Sequence, residues 1–370
     1  MASKFAIPED PDREYFFTAK GLESRRVLRG SEAKKTFSEI PTIDISSIVS
    51  QDLSDRVKLA EQIGRAATDV GFMYLTNLPI DSRVMDNAFE ALKKFFALPL
   101  EEKKKVVSTK SWTIKGWQPI MNEEGDMSNE TFRMGNDYTE PEQEDPDYIV
   151  EKARTFNQWP DALPEFREAL YKYWNALVIF TKKLQGIFAL ALGLEESALD
   201  HLFKRPLMDI TIQHYCQGKV KPGLGAHADF GAFTCLLQHE VGGLEVLNAN
   251  AEWVQVPVKK HTFVVNTGSY FEHLSNGRWM STIHRVRAEG DVDRYSLPFF
   301  YGFDPTAVVE PLLLEPNEEP KYENVNIGIE NVKGTFYEMN EEHPFMQMIN
   351  KKGINLEDMR YDQVLRGVEV

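Results

Sequence analysis

The side chains best suited to chemistry are His227-Ala228-Asp229 and, further along, His284 within Ser281-Thr282-Ile283-His284-Arg285-Val286. In an extended strand residues i and i+2 point the same way, so His227 and Asp229 can reach one metal ion while Ala228 faces away. His284, on a later strand, supplies a third corner. Two imidazoles and one carboxylate, with the other coordination positions open, form the ligand set of non-haem Fe(II) oxygenases. With 8 His and 57 acidic residues in 370, about one His-x-acid triplet is expected by chance, so the surroundings must carry the weight. Arg294-Tyr295-Ser296 provides them. A guanidinium can grip a carboxylate through two parallel bonds, and a hydroxyl two residues along the same strand face can add a third.

These groups need a scaffold, and the texture of the chain supplies one. From about residue 207 short β-branched and aromatic runs recur at 208–215, 232–238, 243–247, 252–258, 261–267, 279–287 and 294–302, separated by glycine turns. That spacing predicts a β-sandwich or jelly roll. Upstream, Ile40–Ile45 and Phe72–Leu75 read as short strands. Ser54 is a candidate cap for a helix that stops at Gly71, and Asp81 for a second carrying Met85, Ala88, Phe89, Leu92 and Phe96. A long amphipathic helix runs from Leu163 to Leu192, enough to cross a whole sheet. Residues 1–38 read as an arm or loosely packed lead-in, and 106–150 as an irregular stretch holding Trp112, Trp117, Met121 and Phe132. Helices followed by strands give an α+β protein. The expected divisions are 1–38, 39–205, 206–305 and 306–370.

Composition narrows the partners. A net charge of −15 argues against nucleic acid, whose binding rests on Lys and Arg neutralising phosphates. No apolar run approaches the roughly 18 residues of a membrane span. The N-terminus lacks a secretion signal, and two cysteines, Cys216 and Cys235, exclude a disulfide framework, so a cytoplasmic protein is expected. The acidic stretches 137–151 and 310–342 read as solvated surface. The oligomeric state stays open.

The residues also resemble a known family, the plant and fungal 2-oxoglutarate/Fe(II) dioxygenases that include isopenicillin N synthase and anthocyanidin synthase. HADFGAFTCLLQHEVGGLEVL (227–247) looks like that family's metal strand and hairpin, and FVVNTGSYFEHLSNGRWMSTIHRV (263–286) like its return to the second histidine. IPTIDIS, GFMYLTN, KKFFALPLEEK and KGWQP extend the likeness over roughly 40–305. The resemblance implies a double-stranded β-helix (jelly-roll) barrel with a helical N-terminal region packed on it. It implies His227, Asp229 and His284 as iron ligands and Arg294 with Ser296 on the distal carboxylate of 2-oxoglutarate. Tyr215 stands where the family has a tyrosine touching that carboxylate, and Gln213 replaces the family's usual Asn. The cofactors would be Fe(II), 2-oxoglutarate and O2.

In that reading a small, partly apolar molecule of secondary-metabolite type is hydroxylated, desaturated or cyclised at an unactivated C–H bond, with release of succinate and CO2. Trp117, Phe132, Phe233, Phe299 and Tyr301 are the aromatic candidates for its pocket, and Arg133 for a contact with an acidic group. The segment from Phe336 to Leu365 is a candidate helical lid. Two departures stand out: Asn266-Thr267-Gly268-Ser269 where the family reads Asn-x-Gly-Asp, and Phe132-Arg133-Met134-Gly135 where it reads Phe-Asp-x-Gly. His201, His239-Glu240, His261, His273 and His343 lack partners at ligand spacing. Two alternatives remain at this level, an iron oxidase of the same fold that uses no 2-oxoglutarate and a non-catalytic ligand-binding barrel.

Overall fold

The computed structural model describes residues 8, 10–18, 21–111, 114–121, 127–135, 157–217, 223–287, 292–328, 330 and 351. Trp112, the acidic 137–151 stretch and the candidate lid at 336–365, apart from the single residue 351, lie outside them. In chain order the elements are β1 (Arg13–Thr18), β2 (Gly21–Arg26), β3 (Thr42–Asp44), α1 (Leu53–Asp69), β4 (Phe72–Thr76), α2 (Ser82–Phe96) and α3 (Leu100–Lys105). Then come β5 (Gly116–Met121), β6 (Met127–Gly135), α4 (Pro164–Ala191), β7 (Met208–Tyr215), β8 (Leu224–His227), β9 (Phe233–Gln238) and β10 (Leu244–Leu247). The barrel closes with β11 (Trp253–Gln255), β12 (Phe263–Thr267), α5 (Ser269–Leu274), β13 (His284–Val286) and β14 (Arg294–Tyr301).

These fourteen strands form two facing sheets. One has eight strands in the order β3-β4-β12-β9-β14-β7-β6-β5, the other six in the order β11-β10-β13-β8-β1-β2. Because side chains alternate across a strand, each residue of the large sheet faces either the small sheet or the helices. Phe72, Tyr74, Tyr215 and Val264 meet Leu244, Val246 and Val286 of the small sheet in the space between. The other face of the large sheet, including Phe132, Ile210, Ile212, Phe233, Leu237, Phe263, Leu297 and Phe299, is buried with α4.

That helix forms where its spacing predicts. Pro164 sits at its first turn, where the missing N–H costs nothing. Phe166, Leu170, Tyr173, Leu177, Phe180, Leu184 and Phe188 repeat every three or four residues and are at most 1% exposed. Asp81 caps α2 by accepting from the Arg83 amide. For α1 the cap is Asp52, accepting from the Ser54 amide at 2.8 Å, so Ser54 lies inside the first turn.

Two segments hold more structure than their sequence declares. Residues 13–26, read as part of a loose lead-in, form the hairpin β1–β2 and extend the small sheet. Within 106–150, β5 and β6 pair from Gly116↔Arg133 onward and extend the large sheet from β7. Both are edge additions whose pairing is long-range, which local periodicity does not encode.

Gly71 links helix to site. Its φ of +74° ends α1, and a Cβ there would overlap the Met280 carbonyl and Thr282 Oγ1. Those residues begin the segment that leads to His284. Gly71→Ala is therefore expected to destabilise the fold by roughly 2–4 kcal/mol, from left-handed strain plus overpacking. Urea unfolding measures this, and a change under about 0.5 kcal/mol would refute the packing account.

Candidate metal centre

His227 is the last residue of β8 and lies directly opposite His284, the first of β13, with ring centroids 4.3 Å apart. Asp229 lies just beyond the strand end, so it is not the strand residue that simple alternation predicts. Its place is fixed by its backbone: the Asp229 carbonyl accepts from the Ser269 amide at 2.8 Å and from Ser269 Oγ at 3.1 Å. Oδ2 accepts from Thr234 Oγ1 at 2.6 Å and from Asn266 Nδ2 at 2.8 Å. Oδ1 is left facing His227 Nε2 at 3.6 Å and His284 Nε2 at 3.7 Å. Ala228 turns away, into an apolar cluster with Phe16, Leu247 and Ile283.

The two imidazoles are oriented from behind. Nδ1 of His227 lies 2.8 Å from the Gly225 carbonyl, and Nδ1 of His284 lies 3.3 Å from that of Thr282. Donation from Nδ1 leaves each Nε2 lone pair free to coordinate. All three donor atoms lie within 4.8 Å of one another, a spacing suited to a shared cation. Burial raises the Asp229 pKa, but His284, His227 and Asn266 outweigh it and hold the carboxyl well below its usual range. Burial, with the neighbouring His227, brings His284 down to about 4. Burial lowers the His227 pKa, but the Asp229 carboxylate outweighs it and the net shift is upward. His284 is thus the imidazole kept neutral beside the anionic carboxylate, the state in which both can bind a metal.

Further along the inner face of the large sheet lies a buried cation. Arg294 is 1% exposed and stacks over Tyr215, its in-register neighbour on β7, at 4.8 Å. Nε donates to the Gly242 carbonyl at 2.8 Å, and the two terminal nitrogens to Ser296 Oγ and Gln238 Oε1, both at 3.2 Å. Ser296 stands in register with Gln213 on one side and Gln238 on the other. Among the described residues no carboxylate pairs with Arg294. A buried guanidinium without a counter-ion is costly, so this one is set up to receive an anion.

The aromatic pocket expected from sequence is corrected. Trp117, Phe132, Phe233, Phe299 and Tyr301 all pack in the core on the helix side of the large sheet, away from His227 and Arg294. Phe299 meets Trp174 edge-on, Phe132 meets Phe95 and Phe166, and Phe233 stacks with Tyr301, whose hydroxyl donates to Gln185. The cause is the pleat: if Arg294 and Ser296 point inward, 299 and 301 point outward and Phe300 points in. Arg133, in contrast, shares the inner face with Thr211 and Asp209. Its Nε donates to Thr211 Oγ1 at 3.0 Å and lies 3.6 Å from Asp209, which also binds Lys115.

A second group with ligand-type atoms, Glu130, His214 and Cys216, lies on the helix side. It already holds a cation, since Lys103 Nζ donates to Glu130 at 2.7 Å, Trp117 Nε1 donates at 2.6 Å, and His214 Nδ1 lies at 2.9 Å. Burial raises the Glu130 pKa, yet those partners bring it below its usual value. The remaining histidines have ordinary partners: His261 meets Asp86, His201 the Ala198 carbonyl, His239 the ring of Phe89 and His273 that of Tyr322. His343 lies outside the described residues. Thr234, Asn266, Ser269 and Gln238 are contacts that the sequence reading missed. Asn266 and Ser269 could have been found, since both fall in the segment that departs from the family's Asn-x-Gly-Asp.

Known proteins resemble this chain over most of its length. Residues 40–162 match the family described as non-haem dioxygenase in morphine synthesis N-terminal, and residues 208–303 the 2OG-Fe(II) oxygenase superfamily. The 2-oxoglutarate-Fe(II) type oxidoreductase ppzC of Metarhizium majus is 33% identical over 330 residues, covering 82% of this chain and 88% of that protein. The oxidoreductase hxnY of Emericella nidulans is 31% identical, over 80% and 89%. Among solved structures, a 2OG-Fe(II) oxygenase family protein from Caulobacter crescentus superposes with a TM-score of 0.71 at 26% identity, over 82% of this chain and all of that one. A Neurospora crassa protein solved with alpha-KG and thymine has the same fold, with a TM-score of 0.70 at 23% identity over 83% and 99%.

Because Asn266 and Thr234 fix the Asp229 carboxylate, Asn266→Ala and Thr234→Val should each weaken metal binding about 10- to 100-fold. Competition titration of Fe(II) or Co(II) measures this. Phe299→Ala should instead cost about 3–5 kcal/mol of stability with metal affinity unchanged; the reverse pattern would return Phe299 to the pocket.

Proposed function

The chain belongs to the 2-oxoglutarate/Fe(II) oxygenase superfamily, and from that premise we propose that His227, Asp229 and His284 hold its iron while Arg294 and Ser296 bind the distal carboxylate of 2-oxoglutarate. The protein is an oxidoreductase that uses Fe(II), 2-oxoglutarate and O2 to oxidise a small molecule of secondary-metabolite type. The observation that carries the residue assignment is the buried Arg294 guanidinium, which has no acidic partner among the described residues.

When bound, the iron would let O2 oxidise both the keto acid, to succinate and CO2, and the substrate C–H bond, two electrons being drawn from each. The chain's own work is placement. Asp229, kept anionic and pinned through Oδ2, offers one oxygen toward the two Nε2 atoms. Arg294 presents a fork whose plane is set by Gly242, Gln238 and Ser296, so an incoming carboxylate meets charge and geometry already arranged. The guanidinium lies over the Tyr215 ring at 4.8 Å, and Gln213 stands in register with Ser296, beside the same ligand. Position, rather than any acid or base in the chain, decides which C–H bond reacts. Arg133, on the inner face with Thr211 and Asp209, is the proposed contact for an acidic group of the substrate.

Under anaerobic conditions Fe(II) with 2-oxoglutarate should give the weak visible charge-transfer band of the chelate, and oxygen should then yield succinate. Arg294→Ala should weaken 2-oxoglutarate roughly 100-fold, about 3 kcal/mol, for the loss of a charge-assisted two-pronged contact. Iron chelation should abolish succinate release and added Fe(II) restore it. A wild-type protein without the band and without O2-dependent succinate would sink this assignment; a band that survives Arg294→Ala with unchanged affinity would sink the clamp alone.

A further inference from the structure

The N-terminal hairpin is attached to the metal strand itself. β1 runs parallel to β8 with Phe17 in register with His227, and the Ala228 amide donates to the Phe17 carbonyl at 3.0 Å. In-register neighbours on adjacent strands put their side chains on the same face. The outer face is identified by its packing. Phe16 lies with Ala228, Leu247 and Ile283, and Arg25 sits over the Phe16 ring. Glu14, on that same outer face, reaches toward Arg285. Phe17 and Tyr15 therefore share the inner face with His227, and both are only partly buried.

The topology says what that face looks onto. From β7 to β14 consecutive strands cross from one sheet to the other at every step but β10 to β11. Beyond β7 the large sheet continues into β6 and β5; beyond β8 the small sheet continues into β1 and β2. The inner faces of the hairpin and of β6 thus belong to the same open end of the barrel, with the metal ligands at its inner limit.

We propose that Phe17, supported by Tyr15, forms the apolar wall against which the substrate packs beside the metal, making the hairpin a specificity-determining part of the active site. Two further observations support this. Around Asp229 the inner face of the large sheet carries the polar Thr234, Asn266, Asp209 and Thr211 beside the apolar Leu236, Pro298, Phe300 and Phe72, the last edge-on to the His284 ring at 5.2 Å. On the β8 side the aromatic surface next to His227 comes from β1. The hairpin also falls outside both matched segments, 40–162 and 208–303, so it is a place where this chain can differ from others of its superfamily. The ligand class is a small molecule with a planar or alicyclic apolar body.

The inference rests on the metal-site reading above, and its test separates the two. Full-length wild type, Phe17→Ala and Phe17→Leu are loaded anaerobically with Fe(II) and 2-oxoglutarate. Each is then titrated with trans-cinnamate and with cyclohexanecarboxylate as apolar probes, reading perturbation of the visible band. In wild type at least one probe should perturb the band. Phe17→Ala should weaken that probe about tenfold, the scale of one lost aromatic face, and Phe17→Leu should stay within about threefold. Affinity for 2-oxoglutarate should change less than about twofold. Equal probe affinity in wild type and Phe17→Ala overturns the wall, as does a wild-type band that neither probe perturbs. A Phe17→Ala protein that loses 2-oxoglutarate or iron rather than the probe also overturns it, making the hairpin a brace for the His227 strand. A wild type without the band removes the metal-site reading together with this inference.

Discussion

Two buried charges of opposite sign that do not meet organise this molecule. Asp229 is anionic at one end of the inner sheet face and Arg294 cationic further along it, and neither neutralises the other. Thr234, which holds Asp229, and Gln238, which holds Arg294, are four residues apart on β9, about 13 Å along the strand. An unpaired buried charge costs several kcal/mol, so each persists only because fixed donors or acceptors surround it. The arrangement becomes favourable when something fills the space with a cation toward the first charge and an anion toward the second. A divalent metal carrying a short dicarboxylate meets both demands at once.

The same residue types behave differently on the other face of the same sheet. Glu130, His214 and Cys216 approach one another as closely as His227, Asp229 and His284 do, yet Lys103 supplies the positive charge there and Trp117 a further donor. That network ties α3 to β6 and leaves no demand for an ion. What separates the clusters is which partners the fold provides, and backbone direction decides that. Thr131 and Arg133 look into the barrel, whereas Glu130 and Phe132 look toward the helices.

How much of this was legible follows from the range of each signal. Local runs of β-branched and aromatic residues revealed β7, β9, β10, β12 and β14 to within two residues, overran β11 and β13 and passed over β8, while period 3.6 revealed α2 and α4. His227, Asp229, His284, Arg294 and Ser296 could be picked out because type and spacing together are rare. The aromatic pocket went astray where the parity that put Arg294 and Ser296 inward was not carried on to Phe299 and Tyr301. Composition made those residues look like pocket lining; the pleat made them core. Asn266 and Ser269 were visible as a departure from the family pattern, but their hydrogen bonds to Asp229 depend on β12 and α5 arriving beside the end of β8. The β1–β2 and β5–β6 hairpins stayed hidden because the sequence of an edge strand does not name its neighbour.

Those edge strands are where variation can be accommodated. The centre of the barrel is held on both faces, by α4 on one side and by the facing sheet on the other, so changing its residues disturbs packing on every side. Each hairpin added beyond β8 or β7 ends in a strand, β2 or β5, that is tied along one side only. β1 is held in register by its ladder with β2, by Phe16 in its apolar niche and by the Ala228-to-Phe17 hydrogen bond. Its inner-face residues lie one strand away from His227 rather than on the strand itself. A fold that keeps its charges at the centre and its adjustable surface at the rim can hold one oxidising chemistry constant while the molecule presented to it changes.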